Sequence, residues 1–423
     1  MLKLRYNDVC WIVFYVKEII QMSKMHPDSS GGSHIAYIDV LRVLSMISVV
    51  FLHTAAGSLR GNLGSPVWHA SNVLTSIMSS SVPIFFMISG AMLLNSEKTL
   101  SIGFTFKKRL PKALMPLLSW SLIAVFYFAA MGYIMTAEVN WADMVSKLRH
   151  ITSQPVTVHL WFMYALIPLY ILSPVLKKMT DALSKDLMRY LLLVWVVFSS
   201  VLPTLSALAP ARFQSFFILD PSYNLNFLNG YLGYFIMGYF LFKYEKPVSK
   251  RLLAGIIISD SVIISLGTWY KTNTSGQYSE LFKGYSRVFM VILSIAIFLL
   301  IKEVFRNRRL SDRASEILGV LSSASFGIYL LHNLLVNLLS RKIMLGPAPS
   351  FIILFGCFFA VLFLSLLCII IAASFKPACY LLTGLTFKNA CESMNIQYFI
   401  KKFVKAHAKA SKAPNFDTKN RAG

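Results

Sequence analysis

Long apolar runs are the sequence feature that most limits what this chain can fold into. Stretches of roughly 18 or more apolar residues recur along its 423 residues, and each is long enough to cross a hydrocarbon core of about 30 Å. Because a segment in lipid must satisfy its backbone hydrogen bonds internally, these runs favour helices. We therefore predict an all-α integral membrane protein with about ten transmembrane helices. The predicted spans lie near residues 36–56, 70–94, 113–137, 158–176, 187–209, 227–243, 252–270, 285–301, 316–340 and 348–375.

The distribution of positive charge predicts how these spans are oriented. The chain has 41 Lys and Arg and a net charge of +23. With the N-terminus placed inside, cytoplasmic segments hold 31 of these cations and outer loops hold 9, with Arg42 inside the first span. The positive-inside rule then predicts that both termini are cytoplasmic. The charge is mainly a topology signal that also attracts anionic lipids, so nucleic-acid binding is the weaker interpretation and we expect none.

Two flanking segments frame the predicted transmembrane domain, which covers residues 35–376. Residues 1–34 are expected to be a cytoplasmic segment without a signal-peptide cleavage site. This segment is either a surface-lying helix or the result of an upstream start codon, with Met22 or Met25 as the initiator. Residues 377–423 are expected to form a basic cytoplasmic tail, partly an interfacial helix over 396–404.

Charged and titratable residues stand out in the first span. Ionisable groups are costly inside a membrane, which makes each a functional candidate. Asp39 and Arg42 are three residues apart and can pair on one helix face. Arg42 and His53 are eleven residues apart, which places both on the same face and about 16 Å apart along the axis. This face would join a cation near the cytoplasm to a base nearer the outer surface. The alternative is a snorkelling Arg and a His that only packs.

A basic cluster precedes the predicted third span. It consists of Lys107, Lys108, Arg109 and Lys112. Basic side chains at a helix N-terminus suit a phosphate site, which makes Lys108, Arg109 and Lys112 candidates for binding a phosphate-bearing substrate. The alternative is a topology signal alone.

Two further histidines are predicted at the outer ends of their spans. His159 and Trp161 open the fourth span, and Tyr329 and His332 lie in the outer half of the ninth. These four residues are therefore candidates for contacting a substrate on the outer side. No metal-type spacing links the histidines and no cysteine is near, so we predict no metal site.

Four sequence phrases together resemble the acyltransferase-3 family of integral membrane acyltransferases. Arg42 and His53 match its Arg-x10-His signature, preceded by its usual Asp at Asp39. The phrases VPIFFMISG, HLWFMYAL and SFGIYLLH are also similar to those of the family and occur in the expected order over about 300 residues. The chain looks like a stand-alone member, similar to the O-acetyltransferases of enterobacterial common antigen.

The resemblance implies a function and roles for several residues. Family members take an acyl group from cytoplasmic acyl-coenzyme A and place it on an extracytoplasmic sugar. By resemblance, this chain is expected to move an acyl group, with acetyl the expected one, to a hydroxyl of an envelope glycan or lipid-linked saccharide at the bacterial inner membrane. His53 corresponds to the catalytic histidine, and Arg42, beside Asp39, helps hold the donor. Acetyl-coenzyme A would be a substrate, and no permanently bound cofactor is expected.

One departure from the family pattern concerns the donor site. The family's Arg-x-x-Arg, implicated in donor binding, falls on Arg109 and Lys112. A lysine keeps the charge but lacks the two-pronged geometry of a guanidinium, so the role of Lys112 is open. Two other functions also stay open: a transporter or flippase of a lipid-linked glycan, and a structural subunit of a glycan-assembly complex. A transporter would need no acyl donor, whereas an enzyme must bind coenzyme A.

Overall fold

The computed structural model describes residues 35–61, 63–220, 222, 230–244, 246–343 and 350–394. The predicted segment 1–34 and the predicted interfacial helix 396–404 lie outside the described residues.

Helices account for the regular structure of the described part of the chain. Nine of them are long and apolar enough to cross a membrane, and a tenth apolar helix is shorter, which confirms an all-α membrane protein of about ten spans. The helices are α1 Ala36–Arg60, α2 Pro66–Met78, α3 Ser81–Leu94, α4 Ile102–Thr136, α5 Trp141–Arg149, α6 Val158–Ala182, α7 Lys185–Leu208, α8 Leu232–Lys243, α9 Lys250–Ser275, α10 Val288–Phe305, α11 Asp312–Ile343, α12 Phe351–Ala373, α13 Lys376–Thr383 and α14 Phe387–Met394.

The predicted second span is one membrane crossing made of two helices. α2 and α3 together cover Pro66–Leu94 and are separated at Ser79 and Ser80. Because Pro83 has no N–H, the Ser79 carbonyl loses its usual helical donor. The hydroxyls of Ser79 and Ser80 bond back to the carbonyls of the preceding turn, both at 2.7 Å. The polar groups at the break are thus partly satisfied within the chain.

The third span starts earlier than its sequence suggests. α4 begins at Ile102 and passes through a π-helical turn at Thr105–Arg109 before the regular helix. Pro111, which cannot donate a hydrogen bond, follows that turn at the start of the regular helix, where a wider turn is tolerated. The prediction that the basic cluster occupies the helix N-terminus is therefore wrong. Arg109 lies two turns inside α4, and any phosphate binding there depends on side chains rather than on free helix N–H groups.

Two glycines allow α3 and α8 to cross at very short range. A Cβ on Gly90 would collide with the Phe235 backbone, and a Cβ on Gly238 would collide with the Met87 backbone. Small residues permit this approach in membrane helix pairs. α1 lies at the centre of the bundle, in contact with α2, α3, α10, α11 and α12, so its face carries side chains into the interior.

The last described helices close the inner end of the bundle. α13 packs on α4 and α12, and α14 packs on α11. The Trp120 indole on α4 donates to the Leu382 carbonyl at 2.9 Å. Gly384, with a φ of +67°, approaches the Lys112 carbonyl too closely for a side chain. These contacts fix the backbone around Lys112.

Candidate active site

Three histidines from different parts of the sequence meet near the end of the bundle that the sequence predicts to be the outer one. His53 lies on α1, His159 in the first turn of α6, and His332 on α11. Their ring centroids are 5.1 Å apart for His53 and His332, 5.0 Å for His159 and His332, and 6.1 Å for His53 and His159. The sequence placed them at similar depth, and the structure brings them into contact.

His159 uses both ring nitrogens to fasten α6 to α11. Its Nε2 donates to the Leu330 carbonyl at 3.1 Å, and its Nδ1 accepts from the Thr157 hydroxyl at 3.0 Å. The Tyr329 hydroxyl donates in turn to the His159 carbonyl. His159 is only 3% exposed, so its imidazole is enclosed and fully bonded. A direct contact of His159 or Tyr329 with a substrate remains a prediction.

His53 is the accessible member of the cluster. His332 is fully buried and donates from Nδ1 to the Tyr329 carbonyl at 2.6 Å. His53 is partly exposed and has only ring contacts to the other two histidines among the described residues. His53 is therefore the least enclosed of the three histidines, which makes it the candidate base.

On the same face of α1, Arg42 belongs to a three-residue network. Its guanidinium donates to Asp39 at 3.0 Å and to the Ser322 hydroxyl at 2.7 Å, and Ser322 donates to Asp39 at 2.6 Å. The predicted pairing of Asp39 with Arg42 is present. Asp39 is buried, while the Arg42 side chain is 31% exposed. The network therefore holds a cation whose guanidinium keeps donors for a further anion.

A second arginine is held near the end of the bundle that the sequence predicts to be cytoplasmic. Arg109 donates to the hydroxyls of Thr99 and Ser96, the latter at 2.9 Å, and its guanidinium lies 5.3 Å from the Phe104 ring centre. By contrast, Lys108 is exposed and Lys112 is half-buried, and neither has a hydrogen-bond partner among the described residues. The donor-binding roles of all three remain predictions, although Arg109 alone is preorganised.

Tyr170 on α6 connects the two arginines. Its hydroxyl lies close to Ser89 on α3 and within electrostatic reach of both Arg42 and Arg109. The Tyr170 phenol thus lies between the two guanidiniums. Tyr170 and Ser322 have no role in the sequence prediction, because no local spacing reveals contacts between residues so far apart in the chain.

Aromatic rings surround the outer approach to the histidines. The Trp161 ring stacks on Tyr285 with centroids 5.6 Å apart and contacts Tyr231 at 5.2 Å. Tyr231 in turn stacks on Phe86 at 4.4 Å. Trp161, Tyr231 and Tyr285 are partly exposed, so they form an aromatic cluster with polar edges. Of these, the sequence singled out Trp161 alone.

A buried lysine anchors the loop that carries Tyr285. The Lys283 amine donates to the Asn72 side-chain oxygen and to the Thr75 hydroxyl, both at 2.8 Å. Burial lowers the pKa of Lys283 to about 7, and the nearby Glu280 carboxylate opposes that shift. The loop between α9 and α10 is thereby tied to α2.

Among the described residues, no group of three or more His, Cys, Asp or Glu has a geometry that could hold a metal ion. In the histidine cluster this agrees with the bonding of His159, since neither of its nitrogens keeps a free lone pair for a ligand bond.

The fold and the site define a polytopic membrane protein with a cluster of three histidines and two arginines held by hydrogen bonds. A family model described as an acyltransferase domain matches residues 35–372. The chain belongs to the acyltransferase-3 family and is a membrane acyltransferase. Comparison with curated proteins and with solved structures found no match.

Proposed function

We propose that this protein transfers an acyl group, acetyl in the first instance, from cytoplasmic acyl-coenzyme A to a hydroxyl of an envelope glycan or lipid-linked saccharide. The proposed location is the bacterial inner membrane. The observation that supports the proposal is the shared face of α1, which carries Arg42 in its hydrogen-bonded network near one end and His53 in the histidine cluster near the other. A single helix therefore connects a site for an anionic donor with a base.

The donor side follows from charge and reach. Coenzyme A carries phosphates at one end and its thioester at the end of a long, flexible arm. Arg109 and Arg42 offer guanidiniums for phosphate oxygens, and Arg109 is already oriented by Ser96 and Thr99. With about 16 Å along α1 between Arg42 and His53, an extended arm would bring the thioester toward the histidine.

The chemistry assigns His53 as a general base. The acceptor hydroxyl gives its proton to a His53 nitrogen as its oxygen attacks the thioester carbonyl carbon. The carbon–sulfur bond then breaks, and the proton passes from His53 to the leaving thiolate. Positioned general-base assistance is typically worth about 10²–10⁴-fold in rate, and neutral imidazole is suited to it.

The acceptor side is supported by the aromatic surface of Trp161, Tyr231 and Tyr285. Sugar rings present apolar C–H faces that pack on flat aromatic rings, and the polar edges of Tyr and Trp can hydrogen-bond to hydroxyls. Lipid-linked saccharides would reach this surface from the bilayer, since it lies at the outer ends of the helices.

A transfer assay with purified protein tests the proposal. Radiolabelled acetyl-coenzyme A and a panel of envelope glycans are incubated with wild-type protein and with His53→Ala. The proposal predicts label on a glycan and free coenzyme A with wild type only. An intact thioester with every glycan, together with glycan movement across vesicles, would instead favour a transporter.

A further inference from the structure

A free lone pair on His332 indicates that this residue also has a role within the histidine cluster. A backbone carbonyl can only accept, so the His332 Nδ1 that contacts the Tyr329 carbonyl must carry the proton. In the neutral ring, Nε2 is then an acceptor. That atom is buried and has no hydrogen-bond partner among the described residues. Leaving a buried acceptor unpaired is unfavourable, so its donor is to be sought among its neighbours.

The distance to His53 fits such a bond. Because each ring nitrogen lies about 1.2 Å from its ring centre, an N–H···N bond of about 2.9 Å separates two imidazole centroids by roughly 5.3 Å. The observed separation of His53 and His332 is 5.1 Å, so a small rotation of the partly exposed His53 ring completes the bond. His159 lies farther from His53, at 6.1 Å, and both its nitrogens are engaged. His332 is therefore the available partner.

We propose that His332 is the positioning residue of His53: its Nε2 accepts a hydrogen bond from one N–H of His53 and directs the other nitrogen toward the acceptor. This inference rests on the proposed function. When His53 takes the hydroxyl proton, its imidazolium keeps the bond to the His332 lone pair and is stabilised by it. His332 gains no proton, and the proton on His53 leaves with the thiolate.

The rest of the cluster explains why His332 keeps its orientation. Its Nδ1 bonds to the carbonyl of Tyr329, whose own hydroxyl is bound to the His159 backbone. His159 in turn donates to the neighbouring Leu330 carbonyl. This chain of bonds links the start of α6 to the turn of α11 that carries His332, and it fixes the tautomer, as outer partners of functional histidines do.

Two substitutions separate this role from simple packing. In His332→Asn the amide nitrogen lies near the former Nδ1 and can still donate to Tyr329, but nothing accepts from His53. In His332→Gln the longer side chain can place its carbonyl oxygen near the former Nε2. We expect His332→Asn to lower kcat by about 10- to 100-fold, the size for a hydrogen bond to a charged group, with the KM for acyl-coenzyme A unchanged. His332→Gln should restore kcat to within about threefold of wild type.

The measurement is steady-state transfer by variants that elute as monodisperse protein in size-exclusion chromatography. Wild-type kcat in His332→Asn, or equal losses in both variants, would overturn the role of His332. His53→Ala is measured in parallel to separate the two claims. If His53→Ala is inactive while His332→Asn is normal, the proposed function stands and this inference fails. If His53→Ala is active, the proposed function itself is contradicted.

Discussion

The histidines around the outer end of α1 and the arginine near its inner end are held in place in different ways. At the outer end, His159 and His332 are fixed mainly by backbone carbonyls of α11. At the inner end, Arg42 is fixed by side chains, through Asp39 and Ser322. Carbonyls fix the tautomer of a neutral ring, whereas a carboxylate stabilises a permanent charge. The difference is what the proposed function requires, which is a base at one end and a site for a charged donor at the other.

This comparison makes a kinetic distinction testable. Changes at the outer end should lower kcat, because they affect the proton transfer. Changes at the inner end should weaken donor binding, because they remove positive charge. Losing an interaction that is made only in the transition state lowers kcat, whereas losing one that already binds the substrate in the ground state raises KM.

The largest effect is expected for His53→Ala. Removing the base should lower transfer by about 10²–10⁴-fold while acyl-coenzyme A still binds. The control is His150→Ala, which removes an exposed histidine at the end of α5. Initial rates and donor affinity by calorimetry in detergent check this. Near-normal rates in well-folded His53→Ala would remove the catalytic assignment.

Arg42→Ala should impair both donor binding and stability. The change removes the charge and the bonds to Asp39 and Ser322, so we expect donor affinity to fall by about 10- to 100-fold. A buried carboxylate that loses a cationic partner is also destabilising. Arg42→Lys keeps the charge, so its donor affinity should lie between those of wild type and Arg42→Ala. A lowered kcat with unchanged donor affinity would place Arg42 in the chemistry instead.

Arg109→Ala should weaken donor binding by about 10-fold, since one preorganised guanidinium is lost. The matched control is Lys108→Ala, which removes an exposed cation from the same turn of α4 and should change affinity by less than about twofold. Titration of acyl-coenzyme A by calorimetry distinguishes them. Equal effects of the two variants would mean that the cluster acts only through its net charge.

The smallest effect concerns the pH dependence of stability at the outer loop. The pKa of Lys283 is lowered from 10.5 to about 7, so the unfolded chain binds more protons between these values. Stability should therefore rise with pH across that window. Thermal unfolding from pH 7 to 10 should show a shallower rise in Lys283→Met than in wild type. Parallel curves would show that Lys283 does not titrate there.

Hydropathy and charge were enough to predict the fold class, because lipid leaves helices as the simple solution for long apolar runs. Helix ends were less predictable. α4 starts about three turns before the expected span, since the basic residues that precede that span are also helical. α8 is a described helix of 12 residues, shorter than the expected span 227–243.

The candidate site was predictable where it lies on one helix. The spacing of Asp39, Arg42 and His53 places them on one face of α1 before any tertiary contact is known. Ser322 and Tyr170 were not predictable, because they reach the site through packing of α11 and α6 against α1 and α3. The different hydrogen bonding of His159 and His332 also depends on the assembled bundle, so the sequence could not predict it.

The central claim is that acyl transfer runs across the membrane, from a donor inside to an acceptor outside. Proteoliposomes of known orientation test it most directly, with acetyl-coenzyme A sealed on the Lys107 side and a glycan acceptor on the Gln154 side. We expect acetylated glycan in this arrangement with wild type. We expect none with His53→Ala, and none when donor and acceptor are exchanged. Equal transfer with the donor on the Gln154 side would contradict it.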